Sequence, residues 1–143
     1  VPGTSLAIIG GDPRPSRYEQ LAHQLGIADR VTFLGRVEQP ERLLPAAAAM
    51  ILPTRYDPFA NATLEAMACG VPVVTSGANG AAEVLPHDWM RVDDPSDVDG
   101  FAAALERVLQ ADGLGAHCRA VAETLPAEGA FQKMEGCMRE LSG

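Results

Sequence analysis

The sequence is short of positive charge. Its 143 residues hold 11 Lys and Arg against 19 Asp and Glu, a formal net charge of −8, and Lys133 is the only lysine. A duplex nucleic-acid binder carries the opposite balance, so no nucleic-acid partner is expected. No apolar run nears the ~18–20 residues of a membrane-spanning helix. No basic leader with an apolar stretch and a cleavage site is present, which leaves secretion unsupported. Cysteines number three. Cys69, Cys118 and Cys137 are odd in number and far apart, and Cys69 lies in an apolar stretch, which fits reduced, mostly buried thiols of a cytoplasmic protein better than a disulfide framework. His23, His87 and His117 are scattered among them, and no metal-ligand spacing results. The dinucleotide fingerprint G-x-G-x-x-G and the P-loop GK[ST] are both missing. So are internal repeats, low-complexity tracts and long linkers.

What is present is the composition of a folded domain: 47% hydrophobic and 21% charged residues, which argues against disorder. The length suits one domain. The chain opens Val-Pro rather than Met, from which we expect a piece of a longer protein. Charge is uneven along it. Residues 1–60 hold six Arg and six acids, and residues 61–143 hold five basic and thirteen acidic residues. An anionic ligand therefore fits better near the first half, where Arg14, Arg30, Arg36, Arg42 and Arg55 sit. The plain alternative for each is a solvated surface arginine.

Short apolar runs alternate with helix-period segments. SLAIIG (5–10), VTFLG (31–35), AMILP (49–53), VPVVTS (71–76) and the short MRV (90–92) read as strands, the first of them buried. Between them, Ser16 and Glu19 form a capping box for a helix with Tyr18, Leu21, Ala22 and Leu25 on one face, ended by Gly26. Residues 40–48 read as a short helix interrupted by Pro45. Further helices are predicted at 59–69 and 81–85. Asp94-Pro95-Ser96-Asp97 caps an amphipathic helix with Val98, Phe101, Ala102, Leu105, Val108 and Leu109 on its stripe. Cys118, Val121, Ala122 and Leu125 mark one more stripe, and Phe131, Met134, Met138 and Leu141 another, both read as core contacts. The fold class is α/β, a parallel sheet with helices on both faces. In such sheets ligands collect at the carboxyl edge of the strands, here the loops 10–15, 35–38, 53–61 and 76–81.

Two segments could carry chemistry. Gly10 and Gly11 follow a strand directly and let backbone approach a ligand, though a plain strand-to-helix turn explains them equally. In residues 53–85, Glu65 has Ala62, Leu64, Ala66, Met67 and Ala68 around it on a predicted helix. An ionised carboxylate there needs hydrogen-bond donors. Two readings stand: a structural Glu held by backbone N–H groups or an Arg, or a carboxylate for the vicinal diol of a ribose. Asp57 is either a helix N-cap ahead of Pro58 at the first helical position or a second carboxylate facing sugar hydroxyls. Between them, Phe59, Ala60, Asn61, Ala62 and Thr63 present a helix N-terminus suited to phosphate. Asn79-Gly80 predicts a turn with a positive φ and a second helix mouth at the same edge.

Residues 53–85 resemble the donor-binding core of the retaining glycosyltransferases of GT-B fold, the family-4 type. The signature is a carboxylate, seven residues, then Glu running into E-A-M-A-x-G-x-P-V-V. Here it reads Asp57, seven residues, then Glu65-Ala66-Met67-Ala68-Cys69-Gly70-Val71-Pro72-Val73-Val74. LAIIGGDPR, LGIADRVTFLGRV and the helix at 95–109 match in order and spacing, so the resemblance covers roughly residues 5–110. The Y-D-P-F variant followed by NGAAE is similar to lipopolysaccharide-core hexosyltransferases that use UDP-glucose.

The resemblance implies a Rossmann-like domain, the carboxyl-terminal half of a GT-B fold. It implies that Glu65 holds the nucleotide ribose and that Asp57, where the family more often has Glu, contacts the donor sugar. Backbone N–H groups around Ala60–Thr63 would meet sugar and phosphate, Gly35, Arg36 and Val37 would border the base, and Gly10 and Gly11 would line the cleft. It implies retention of configuration without a bound metal, and the chain has no Asp-x-Asp motif at these loops; Asp93-Asp94 reads as a helix cap. No cofactor is called for: the nucleotide sugar, UDP-hexose by expectation, is a substrate, and the acceptor is a saccharide or a lipid-linked one. The family's upstream Arg and Lys and its amino-terminal acceptor domain do not occur in this sequence. The expectation is therefore a donor-binding part, inactive by itself, of a cytoplasmic enzyme with optional peripheral contact at the inner face of the plasma membrane. The alternatives are a nucleotide-sugar epimerase or a phosphorylase of the same architecture, and a non-catalytic interaction module. Lys133 is poorly placed for the pyridoxal phosphate of a phosphorylase.

Overall fold

A computed structural model describes residues 1–11 and 15–125. Arg14, Lys133, Cys137 and the stripe of Phe131, Met134, Met138 and Leu141 lie outside the described residues. The backbone divides into two compact units, one of Val1–Leu43 and one beginning at Leu44.

In the first unit, β1 (Leu6–Ile9) pairs in parallel with β2 (Val31–Gly35). The connection is α1 (Pro15–Gln24). Proline suits a first helical turn because its missing N–H has no partner there in any case. Ser16 thus lies inside the helix, and the expected capping box does not form. Gly26 ends the segment as expected: its N–H donates to His23 O at 3.0 Å, and the Ile27 N–H closes on Ala22 O at 3.0 Å. The strand at 5–10 is not buried as expected. Leu6 is 49% and Ile9 41% exposed, and of the α1 stripe only Ala22 is buried. A two-stranded sheet carrying one ten-residue helix has too little area to cover both faces of an apolar strand.

The second unit holds a three-stranded parallel sheet of order β3-β4-β5, built from β3 (Met50–Leu52), β4 (Val73–Ser76) and β5 (Arg91–Val92). Its helices are α2 (Asn61–Ala68), α3 (Val98–Gln110) and α4 (Leu114–Glu123). β4 is the central strand and every residue of it is buried, as are Val71 and Pro72 just before it, which fits a strand covered on both faces. Val73 and Val74 join Ala66 and Met67 of α2, Phe101, Ala104 and Val108 of α3, and Leu114 and Cys118 of α4 in one core.

Several expected elements are tighter than helices. Residues 40–48 fold as two 3₁₀ turns, Pro40–Arg42 and Leu44–Ala46, because Pro45 offers no N–H and crowds the preceding turn. Gly80–Val84 is also a 3₁₀ turn. The cap of α3 is Asp97, which accepts from Gly100 N–H at 2.9 Å, while Asp94 accepts from Ser96 N–H and Oγ at 2.8 and 2.6 Å. Asp93 takes no part in the cap and pairs with Arg91 at 3.2 Å. The buried stripe of α3 runs through Phe101, Ala104 and Val108, and Val98 is 77% exposed. Because all three strands of the second unit run parallel, the loops after β3, β4 and β5 leave at one edge.

Candidate functional site

That edge is built from the loop 53–60, the first turn of α2 and the loop 77–81. The loop after β3 is stitched to the loop after β4. Asp57 N–H donates to Ala78 O at 3.1 Å, Gly80 N–H donates to Asp57 O at 2.9 Å, and Asp57 and Asn79 form an isolated parallel bridge. Ser76 Oγ donates to Thr54 O, and Thr75 Oγ1 donates to Leu52 O at 2.7 Å. Gly80 is required here by close approach: a Cβ on it would lie 1.9 Å from Pro58 O. Asn79, predicted to turn through a positive φ, is instead extended at φ −97° and caps the turn that follows it.

The carboxylate at the helix is placed otherwise than its neighbours suggested. Glu65 is exposed, on one stripe with Asn61 and Ala68, while Thr63, Ala66 and Met67 point inward. Apolar residue types beside it in sequence do not bury it, because alanines also fit the outer face of a helix. Among the described residues its carboxylate has neither hydrogen bond nor ion pair, so it needs no donor to fold and is open to one from outside. Asp57 is half-buried and is not the cap of α2, whose N-cap is Ala60. Its Oδ1 accepts from Phe59 N–H at 3.0 Å, a local turn that aims the loop into the helix.

The amides of the expected phosphate cradle are not all available. Phe59 N–H is held by Asp57, Ala60 N–H by Asn79 Oδ1 at 3.1 Å, and Thr63 N–H by Ala60 O at 2.9 Å. Among the described residues, Asn61 and Ala62 are left as the first-turn N–H groups without an acceptor, at the positive end of the helix. Glu65 stands four residues, about 6 Å, along the axis from Asn61. That is the order of span between a ribose diol and the phosphates on its 5′ oxygen.

Asn79 is the residue that sequence reasoning missed. It is 1% exposed, and its amide is bonded on both sides. The only signal was its place as an asparagine directly after a buried strand and a Gly-Ala pair, which equally suits a surface turn.

Of the other candidates, Gly10, Gly11, Gly35, Arg36 and Val37 belong to the first unit. There Gly10 N–H donates to Gly35 O at 2.8 Å, and both glycines adopt positive φ, at 137° and 63°. The structure thus brings the ends of β1 and β2 together. Arg30 donates to Thr4 O at 3.4 Å and serves that unit. Arg36, Arg42 and Arg55 are exposed. A separate groove of about 500 Å³ lies along β5 and α3, lined by Trp89, Arg91, Asp93, Asp97 and Arg107 among others. It holds none of the sequence candidates, and its charges are largely engaged: Arg91 with Asp93, Arg107 over the Trp89 ring at 4.3 Å, and Asp97 with the start of α3. Among the described residues no group of three or more His, Cys, Asp or Glu is placed to hold a metal ion, and no helix is long and apolar enough to cross a membrane.

Residues 2–111 match the family model of the glycosyl transferases group 1. An uncharacterised glycosyltransferase of Methanocaldococcus jannaschii is 36% identical over 110 residues, which is 73% of this chain and 27% of that protein. The lipopolysaccharide core biosynthesis glycosyltransferase LpsD of Rhizobium meliloti is 34% identical over 110 residues, 76% of this chain and 32% of the relative. Among solved structures, the sucrose-phosphate synthase of Thermosynechococcus elongatus superposes with a TM-score of 0.81 at 29% identity, covering 99% of this chain and 39% of that one. The chain thus spans about a third or less of the curated relatives it matches. A central carboxylate-helix motif, a parallel α/β core and a match over most of the sequence agree: this chain belongs to the glycosyl transferases group 1 family.

Proposed function

We propose that this chain is the nucleotide-sugar-binding part of a retaining hexosyltransferase. In this reading Glu65 accepts hydrogen bonds from the ribose diol, the Asn61 and Ala62 amides meet the diphosphate, and Asp57 faces the donor sugar. Arg55, exposed two residues before Asp57, adds positive charge at the same loop. The observation that carries the reading is the pairing of an unengaged, exposed carboxylate with two unengaged amides on one short helix, in a member of a glycosyltransferase family.

The chemistry follows from charge. As the glycosidic bond of the donor breaks, negative charge grows on the leaving diphosphate. Fixed N–H dipoles aimed at it stabilise that charge more than they stabilise the ground state. No side chain at this edge is an evident nucleophile, so the contribution of these residues is to bind, orient and stabilise charge. UDP is the proposed nucleotide and a hexose the proposed sugar, with transfer that needs no bound metal. A saccharide or lipid-linked acceptor is supported by the Rhizobium relative, whose name places it in lipopolysaccharide core biosynthesis. The whole reaction belongs to the longer protein, and this chain alone is proposed to bind without turnover.

Calorimetric titration of the chain with UDP, UDP-glucose, GDP and GDP-mannose tests the reading. Binding of a uridine nucleotide in preference to a guanine one is expected. Preference for GDP would move the donor and keep the site. No binding of any of them would support an interaction module instead. Sugar interconversion by the full-length protein without any acceptor would support an epimerase.

A further inference from the structure

Asn79 is buried, and its carboxamide uses its entire hydrogen-bonding capacity. Oδ1 accepts from Ala60 N–H and from Ala81 N–H, both at 3.1 Å. Nδ2 donates to Thr63 Oγ1 at 3.1 Å and to Thr75 Oγ1 at 2.9 Å. Because both partners of one end are N–H donors, the amide has one orientation only. One side chain therefore ties the end of β4, the entry to α2, the first turn of α2 and the turn after Gly80.

We infer that Asn79 is a positioning residue for the phosphate end of the proposed site, an inference that rests on the reading of that site given above. Oδ1 takes the Ala60 amide away from any ligand, which leaves Asn61 and Ala62 as the pair without an acceptor among the described residues. Nδ2 holds the Thr63 hydroxyl one residue further on. The two unengaged amides are thus bracketed on both sides by bonds to the same group, and their direction is set by it. The same backbone segment bridges Asp57, so the carboxylate proposed to face the sugar shares this anchor. A buried network of this kind is rigid only when every member is satisfied, as this one is.

A merely structural hub would affect stability without distinguishing ligands. A positioning residue must alter what the phosphates contribute. The test compares affinities for UDP and uridine, with GDP and guanosine in parallel, in the unaltered chain and in N79A, N79D and T63V, with thermal melting of each. N79D retains an acceptor for both amides, and the Thr63 hydroxyl can turn to donate to it; Thr75 keeps its proton on Leu52 O, so N79D loses that one bond and is expected to stay folded with a lowered melting temperature. It sets a carboxylate within one hydrogen bond of the first turn, and we expect UDP affinity to fall about tenfold or more while uridine affinity changes less than about twofold. N79A is expected to cut the UDP-to-uridine preference about tenfold, and T63V about threefold. If the unaltered chain binds no nucleoside diphosphate, the site reading and this inference fall together. If it binds and the folded variants keep its preference for diphosphate over nucleoside, the inference alone is overturned. Unfolding of all three variants assigns Asn79 to the fold only, and also overturns it.

Discussion

At the scale of single residues, the role proposed for Glu65 is one of binding and not of folding. Glu65 is exposed and takes no part in the core. Glu65→Gln is expected to leave stability within about 0.5 kcal/mol and to weaken nucleotide binding by about 1–3 kcal/mol. Melting and calorimetry on the same sample check both halves, and an E65Q protein that fails to fold would make the residue structural. Gly80 behaves in the opposite way. A methyl group there meets the Pro58 carbonyl, so Gly80→Ala should destabilise by about 1–3 kcal/mol, read from urea midpoints. Cys118 gives a pH signature. Burial raises its thiol above the ordinary 9.0, offset in part by a hydrogen bond with the Val73 backbone. The unfolded chain therefore releases that proton first. Stability from this group is complete below about pH 9 and is lost as pH rises through the folded-state value. Alkaline unfolding curves of the chain and of C118A should diverge above that pH, the unaltered chain falling more steeply.

At the scale of elements, packing decides what sequence spacing leaves open. Asp97 closes the first turn of α3 through Gly100 N–H, so Asp97→Ala should cost about 1 kcal/mol. Val98→Ser, one residue on, should change stability by no more than about 0.5 kcal/mol, because Val98 stands in solvent. Thermal unfolding of the two variants side by side tests this contrast. From spacing alone, Val98 and Phe101 belonged to one stripe, and only the placement of Phe101 against β4 turns the helix by a residue. β4 itself was legible in its unbroken apolar run. So were α2, α4 and the ends of most strands, since glycine and proline mark them chemically. The loop edge that carries the candidates followed from parallel pairing. What sequence does not give is side-chain direction: apolar neighbours suggest a buried Glu65, and the following glycine suggests a turn at Asn79. Both depend on which face the backbone presents, which the residue types around them do not set.

At the scale of the molecule, burial is concentrated in the second unit, where β4 and the helices form the core. The first unit exposes apolar residues on both strands. Amide hydrogen exchange should therefore be slowest in β4, near the global unfolding limit, and faster by orders of magnitude in β1 and β2. Equal protection in the two units would contradict this distribution of stability. The sequence could not reveal the difference, because SLAIIG and VPVVTS look alike as apolar runs and differ only in what covers them. The most direct test of the central claim is an amide spectrum recorded while UDP is added. If the exposed carboxylate and the first turn of α2 hold the nucleotide, the largest shifts fall on Asn61, Ala62 and Glu65, and they weaken sharply in E65Q without loss of fold. Shifts centred on the groove of Trp89 and Arg107 instead, or a response identical in E65Q, would contradict it.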